Sequence, residues 1–95
     1  MMKVIIQKFG GTSVGARDQR ERAARKVLEA QANGYSPVVV VSAMGRMGEP
    51  YATDTLLGLM ESVGDDADPR EQDLLMSCGE IISAVIMTQT LKAMG

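Results

Sequence analysis

The chain has 95 residues, 45% of them apolar, and a formal net charge of −2. That is the size of one small domain with a core, and it argues against disorder or a second domain. Near-balanced charge, two tyrosines, one phenylalanine and no tryptophan leave nothing to build a nucleic-acid or anionic-membrane surface from. With one cysteine, Cys78, and no histidine, an intrachain disulfide, a Ser-His triad and His-based acid–base catalysis are excluded. The N and S ligands are too few for a zinc site, and no metal site is expected. The opening MMKVII is too short an apolar run for a signal peptide, and no unbroken apolar run approaches the roughly 18 residues of a membrane span. The expectation is a soluble, cytoplasmic protein.

Lys3 to Phe9 reads as a strand, with β-branched Val4, Ile5 and Ile6. Gly10 to Gly15 reads as a loop and Arg17 to Asn33 as a helix. Ala23, Ala24, Val27, Leu28 and Gln31 fall on one helical face, with Arg20, Glu21, Arg25 and Glu29 mainly on the other. Asp18–Arg22 and Glu21–Arg25 are the expected i,i+4 pairs, and Gly34 suits the position just past the helix end. Pro37-Val38-Val39-Val40-Val41 then reads as a strand buried on both faces, as in a parallel sheet. Strand, helix, strand is a βαβ unit with a right-handed crossover. Both strands therefore end at one sheet edge, where open α/β sheets bind ligands. That places KFGGTSVG, Lys8 to Gly15, beside Ser42-Ala43-Met44-Gly45.

Arg46 to Ala52 is polar and irregular, Thr53 to Val63 reads as a short helix, and Gly64 to Asp68 as an acidic loop. Asp68-Pro69-Arg70-Glu71 is a helix start, with Asp at the N-cap, Pro at N1 and Glu at N3. The helix is expected to run to Met94. Leu74, Leu75, Cys78, Ile81, Ile82, Val85, Ile86 and Met87 cover more than one of its faces, which implies burial on most sides. Cys78 and the methionines at 60, 76 and 87 read as core residues.

The first loop is neither a P-loop nor a dinucleotide fingerprint. In the former the lysine follows the glycines, and here Lys8 precedes them; the latter needs G-x-G-x-x-G, and Gly10-Gly11 are adjacent. Two readings stay open. The glycines make a plain strand-to-helix turn, or they let backbone N–H groups approach a phosphate while Lys8 supplies charge.

KFGGTSVG resembles the N-terminal signature of aspartate kinases in the amino acid kinase family. The likeness continues in VVVVSAMG (Val38 to Gly45), ATDTLL (Ala52 to Leu57) and LLMSCGEIISA (Leu74 to Ala84). The resemblance implies an α/β fold: a parallel βαβ sheet with flanking helices, residues 1–95 being the N-terminal segment of the catalytic domain. The remaining catalytic domain and the ACT regulatory domains are expected to be absent. The implied reaction is phosphoryl transfer from MgATP to the side-chain carboxylate of L-aspartate, the first step towards lysine, threonine and methionine, with Mg held mainly by the nucleotide. Lys8 matches the lysine on the transferring phosphoryl group. Phe9, Gly10, Gly11, Thr12, Ser13 and Gly45 match the ATP-phosphate loops. Ser42, Thr53 and Glu80 match the aspartate-binding positions. Outside the resemblance, Ser42 also reads as a turn cap and Thr53 as a helix N-cap. Glu80, on an apolar helix, needs a cation, either a ligand ammonium or a nearby arginine. Gly79 beside it implies close approach of backbone or ligand. Arg46 to Tyr51 departs from the commoner family pattern, in which SAMG runs almost directly into Thr-Asp. The resemblance implies a homo-oligomer, with no nucleic-acid or membrane partner. This chain by itself is expected to be inactive. The alternative is a non-catalytic, phosphate-binding module that self-associates through its apolar helix, with Glu80 paired to a protein cation.

Overall fold

The computed structural model describes residues 2–45, 49–64 and 66–95. Met1, the Arg46–Gly48 part of the irregular loop and Asp65 of the acidic loop lie outside the described residues. The chain order is β1 (Lys3–Phe9), α1 (Gly11–Val14), α2 (Arg17–Ala32), β2 (Tyr35–Val41), α3 (Thr53–Glu61) and α4 (Pro69–Met94). The strands are parallel neighbours, in register from Lys3 opposite Tyr35 to Phe9 opposite Val41. Both expected strands and all three expected helices are present. The loop after β1 adds one helical turn, closed by the Ser13 N–H donating to the Gly10 carbonyl at 2.9 Å.

The helix ends follow from local chemistry. Asp68 caps α4 by accepting from the Arg70 N–H at 2.9 Å, and Pro69 opens the first turn, where its missing N–H has no intrahelical role. At the other end of α2, Gly34 takes φ +90°, a conformation that favours glycine, and its N–H donates to the Gln31 carbonyl at 3.1 Å. The start of α2 carries half of a capping box, with the Gln19 side chain accepting from the Ala16 N–H at 3.1 Å. Asp18–Arg22 pairs as expected. Glu21 pairs one turn back, with Arg17 at 3.1 Å, and not with Arg25. Both pairs are exposed, so each contributes only tenths of a kcal/mol.

One face of the sheet is covered and the other is not. Phe9, Val39 and Val41 pack against a core of Val14, Ala23, Ala24, Met44 and Met87. Those core residues come from α1, α2, the loop after β2, and α4. The buried face of α2 is Ala23, Ala24, Val27 and Ala30; Gln31, assigned to that face by spacing, is exposed. On the opposite side of the sheet Val4, Ile6, Val38 and Val40 are exposed, Ile6 at 72%. The valine run is therefore not buried on both faces within this chain. It alternates, because none of the described elements lies over its second face.

The same correction applies to α4. Its buried residues are Gly79, Ser83 and Met87. Leu74, Ile81, Ile82 and Val85 are exposed, and so is Cys78, whose thiol donates to the Leu74 carbonyl. Met60 and Met76 are half-buried. By length and composition α4 is long and apolar enough to cross a membrane, although it contains no unbroken apolar run of that length. A mid-helix Glu80 would be costly there, and α4 packs on α2, α3 and β2.

These open apolar faces predict association of the chain in solution. Sedimentation velocity in the tens of micromolar range is expected to show species heavier than one chain. A clean monomer at that concentration would contradict the expectation.

Candidate active-site edge

Two loops meet where the strands end. The Ser42 N–H donates to the Phe9 carbonyl at 3.1 Å, extending the ladder by one bond and drawing the second loop onto the first. A Cβ on Gly11 would fall 2.7 Å from the Ala43 carbonyl oxygen, so only glycine lets the two backbones come this close. Gly10 has the opposite surroundings, with nothing within 4 Å of a Cβ built there. One glycine serves loop-to-loop packing and the other has open space where a side chain would stand. A cleft of about 470 Å³ lies between the loops, lined by Gly11, Thr12, Gly15, Gln19, Gly45 and Glu49 among others.

Lys8 stands at the last position but one of β1, opposite Val40, on the uncovered sheet face. It is exposed and forms no ion pair among the described residues. Thr12 and Ser13 are exposed on the single turn of α1, and Ser42 is half-buried.

Helix α4 joins the edge through Gly79. A Cβ there would fall 3.1 Å from Ala43 Cβ and 3.2 Å from the Tyr51 carbonyl oxygen. The expected close approach is thus made by the protein itself, by the Ala43 methyl group and the Tyr51 backbone. Glu80 follows directly, exposed and without an ion pair among the described residues. Its solvation removes the need for either cation, ligand ammonium or arginine, that the apolar helix implies. Thr53 is the first residue of α3; Ala52, and not Thr53, is the N-cap, with no side-chain cap bond. Asp54 lies in that helix's first turn, where its charge complements the helix dipole. The chain segments carrying Lys8–Ser13, Ser42–Gly45, Thr53 and Glu80 therefore converge through contacts at Phe9, Gly11, Ala43, Tyr51 and Gly79.

Two residues that shape this edge are not among the expected site residues. Arg20 was assigned to the outer face of α2. Its guanidinium instead donates to the Val14 and Gly15 carbonyls, both at 3.2 Å, and lies 3.9 Å from Met44 Sδ. It ties the end of the first loop to the second. Tyr51 packs its ring on Gly45 and donates its hydroxyl to Glu49. The bond to Glu49, then burial, raise the phenol above its ordinary range; the nearby Arg20 opposes this. The one pointer to Tyr51 was its place in the stretch that departs from the commoner pattern.

The sequence profile described as the amino acid kinase family matches residues 3–95, nearly the whole of what has been described. The chain belongs to the amino acid kinase family. Among relatives within it, Aspartokinase 1 of Bacillus subtilis (strain 168) is 58% identical over 90 residues, which is 95% of this chain and 22% of the relative. The aspartokinase of Geobacillus stearothermophilus is 39% identical over 94 residues, 99% of this chain and again 22% of the relative. The crystal structure of aspartate kinase from Synechocystis superposes with a TM-score of 0.85 at 37% identity, covering 96% of this chain and 15% of that one. The chain thus spans about a fifth of the curated relatives it matches. The parallel sheet with flanking helices is a portion of the family's α/β fold.

Proposed function

We propose that this chain forms the phosphate-binding corner and part of the aspartate site of an aspartate kinase, which transfers the terminal phosphoryl group of MgATP to the side-chain carboxylate of L-aspartate. The observation that carries the reading is the junction of the two strand-end loops through Ser42, Gly11 and Ala43. It leaves room at the Cα of Gly10, with Thr12 and Ser13 exposed on the following turn and Lys8 exposed two residues before Gly10. Identity to several aspartokinases over nearly the whole chain supports it.

Phosphoryl transfer asks little covalent chemistry of a protein; it needs an in-line nucleophile and neutralised phosphate charge. In this reading Lys8 stabilises charge on the transferring group. Phe9 to Ser13 and Gly45 supply N–H and hydroxyl donors to the nucleotide phosphates, and Mg comes bound to the nucleotide. Ser42 and Thr53 hold the aspartate, and Glu80 takes its ammonium group. Glu80, exposed and without an ion pair among the described residues, is open to this role, whereas the interaction-module reading expects it paired to a protein cation. Residues 1–95 act as one part of a larger catalytic domain in a cytoplasmic homo-oligomer, and the uncovered faces of β1, β2 and α4 meet the rest of the enzyme.

The test is a chimera. Residues 1–95 replace the matching segment of B. subtilis Aspartokinase 1, and aspartyl phosphate is trapped with hydroxylamine. The chimera is expected to turn over at about 1 per second or faster, an ordinary enzyme scale. The 95-residue chain by itself is expected to show none. A folded chimera that releases no aspartyl phosphate would sink the proposal and leave the module as the surviving reading.

A further inference from the structure

We infer that Tyr51 is a positioning residue for this phosphoryl transfer, fixing the Ser42–Gly45 loop through its ring and helix α4 through its backbone; the inference rests on the kinase reading above. Gly45 sits at φ +98°, a conformation glycine adopts readily but does not prefer over others, so what packs on it decides where the loop stays. The Tyr51 ring is what lies against it: a Cβ on Gly45 would fall 2.6 Å from Cε2 and 2.9 Å from Cδ2. The ring is itself held by its hydroxyl, which donates to Glu49. On the other side of the same residue, the Tyr51 carbonyl is 3.2 Å from where a Gly79 Cβ would stand, so α4 rests on this backbone one residue before Glu80. Two residues further along the chain is Thr53, the start of α3. Tyr51 thus touches the loop that faces the first glycines and the helix that bears Glu80, and it leads directly into Thr53. Arg20 completes the clasp, tying the Val14 and Gly15 carbonyls to Met44, the residue before Gly45.

The chemical consequence is alignment. An in-line transfer loses about a hundredfold for a 1 Å misplacement, so a ring that locates one of the two loops acts on kcat without touching either substrate. In the chimera, Tyr51→Ala is expected to lower kcat about tenfold, with KM for MgATP changing less than about twofold. Tyr51→Phe keeps the ring, and is expected to recover kcat to within about threefold of the parent. A purely structural role would lower the folded fraction and leave kcat per folded site unmoved. The inference is overturned if Tyr51→Ala keeps the parent's kcat, or if the Phe variant is as impaired as the Ala variant. An inactive parent chimera would count against the kinase reading alone. Amide spectra of the 95-residue chain then decide the positioning role. The Ala43, Gly45 and Gly79 resonances are expected to move in Tyr51→Ala and stay in Tyr51→Phe; unchanged resonances in the Ala variant would overturn it.

Discussion

Gly11→Ala is expected to destabilise the chain by about 1–3 kcal/mol and to remove hydrogen-exchange protection from the Ser42 amide. The reason is local. A methyl group at position 11 would sit 2.7 Å from the carbonyl oxygen of Ala43, and that neighbour is backbone, unable to swing aside as a long side chain can. One of the two loops has to move. The bond most exposed to the movement is the Ser42 N–H to the Phe9 carbonyl, which closes the junction at 3.1 Å. Gly10→Ala is the control. Position 10 has φ −72° and ψ 171°, ordinary extended backbone, and nothing stands within 4 Å of a new Cβ. Its cost to stability is expected to stay within about 0.5 kcal/mol. Urea midpoints with exchange at Ser42 separate the two. Equal midpoints and equal Ser42 protection for Gly11→Ala and the parent would show that the loops do not depend on this contact.

Lys8→Ala is expected to lower kcat of the chimera by about 10²–10³ while leaving its stability unchanged. Lys8 is exposed, with no ion pair among the described residues, so folding loses little when the side chain is cut back. Its proposed task arises in the transition state, where charge spreads over the transferring phosphoryl oxygens. An effect made only there lowers kcat and kcat/KM together. Lys8→Arg is expected to recover only part of the loss, because a planar, delocalised fork does not reproduce a compact ammonium. Steady-state rates over a range of MgATP concentrations provide the measurement. A Lys8→Ala chimera within about threefold of its parent would remove the lysine from the proposed chemistry.

The two glycines show how far the sequence reaches into the site. Adjacent glycines after a strand announce that backbone comes close to something. They do not say what approaches each one. Gly10 opens to solvent and Gly11 is held against Ala43, a division settled by a contact between residues 32 positions apart. Gly79 is similar: a glycine before Glu80 on an apolar helix signalled close approach, and the fold assigned that approach to Ala43 and Tyr51.

What the sequence determined by itself is the part governed by short-range physics. Runs of consecutive β-branched residues make β1 and β2. Asp68-Pro69 starts α4, and Gly34 ends α2 by taking a positive φ. The single connection between neighbouring parallel strands brings Lys8–Ser13 and Ser42–Gly45 to one edge. Each of these depends on residues near one another in the chain, or on the restricted ways a βαβ unit can close. Tertiary structure alone decided which apolar residues are covered. Val38, Val40, Ile81 and Val85 carry the same hydrophobicity as their buried counterparts, yet stay exposed because none of the described elements lies over them. It also decided that Glu21 reaches Arg17, that Arg20 turns inward to the Val14 and Gly15 carbonyls, and that Tyr51 closes on Gly45. Long flexible side chains have several partners within reach of their own helix or loop. The choice among them is a difference of a few tenths of a kcal/mol, set by neighbours that spacing along the chain does not reveal.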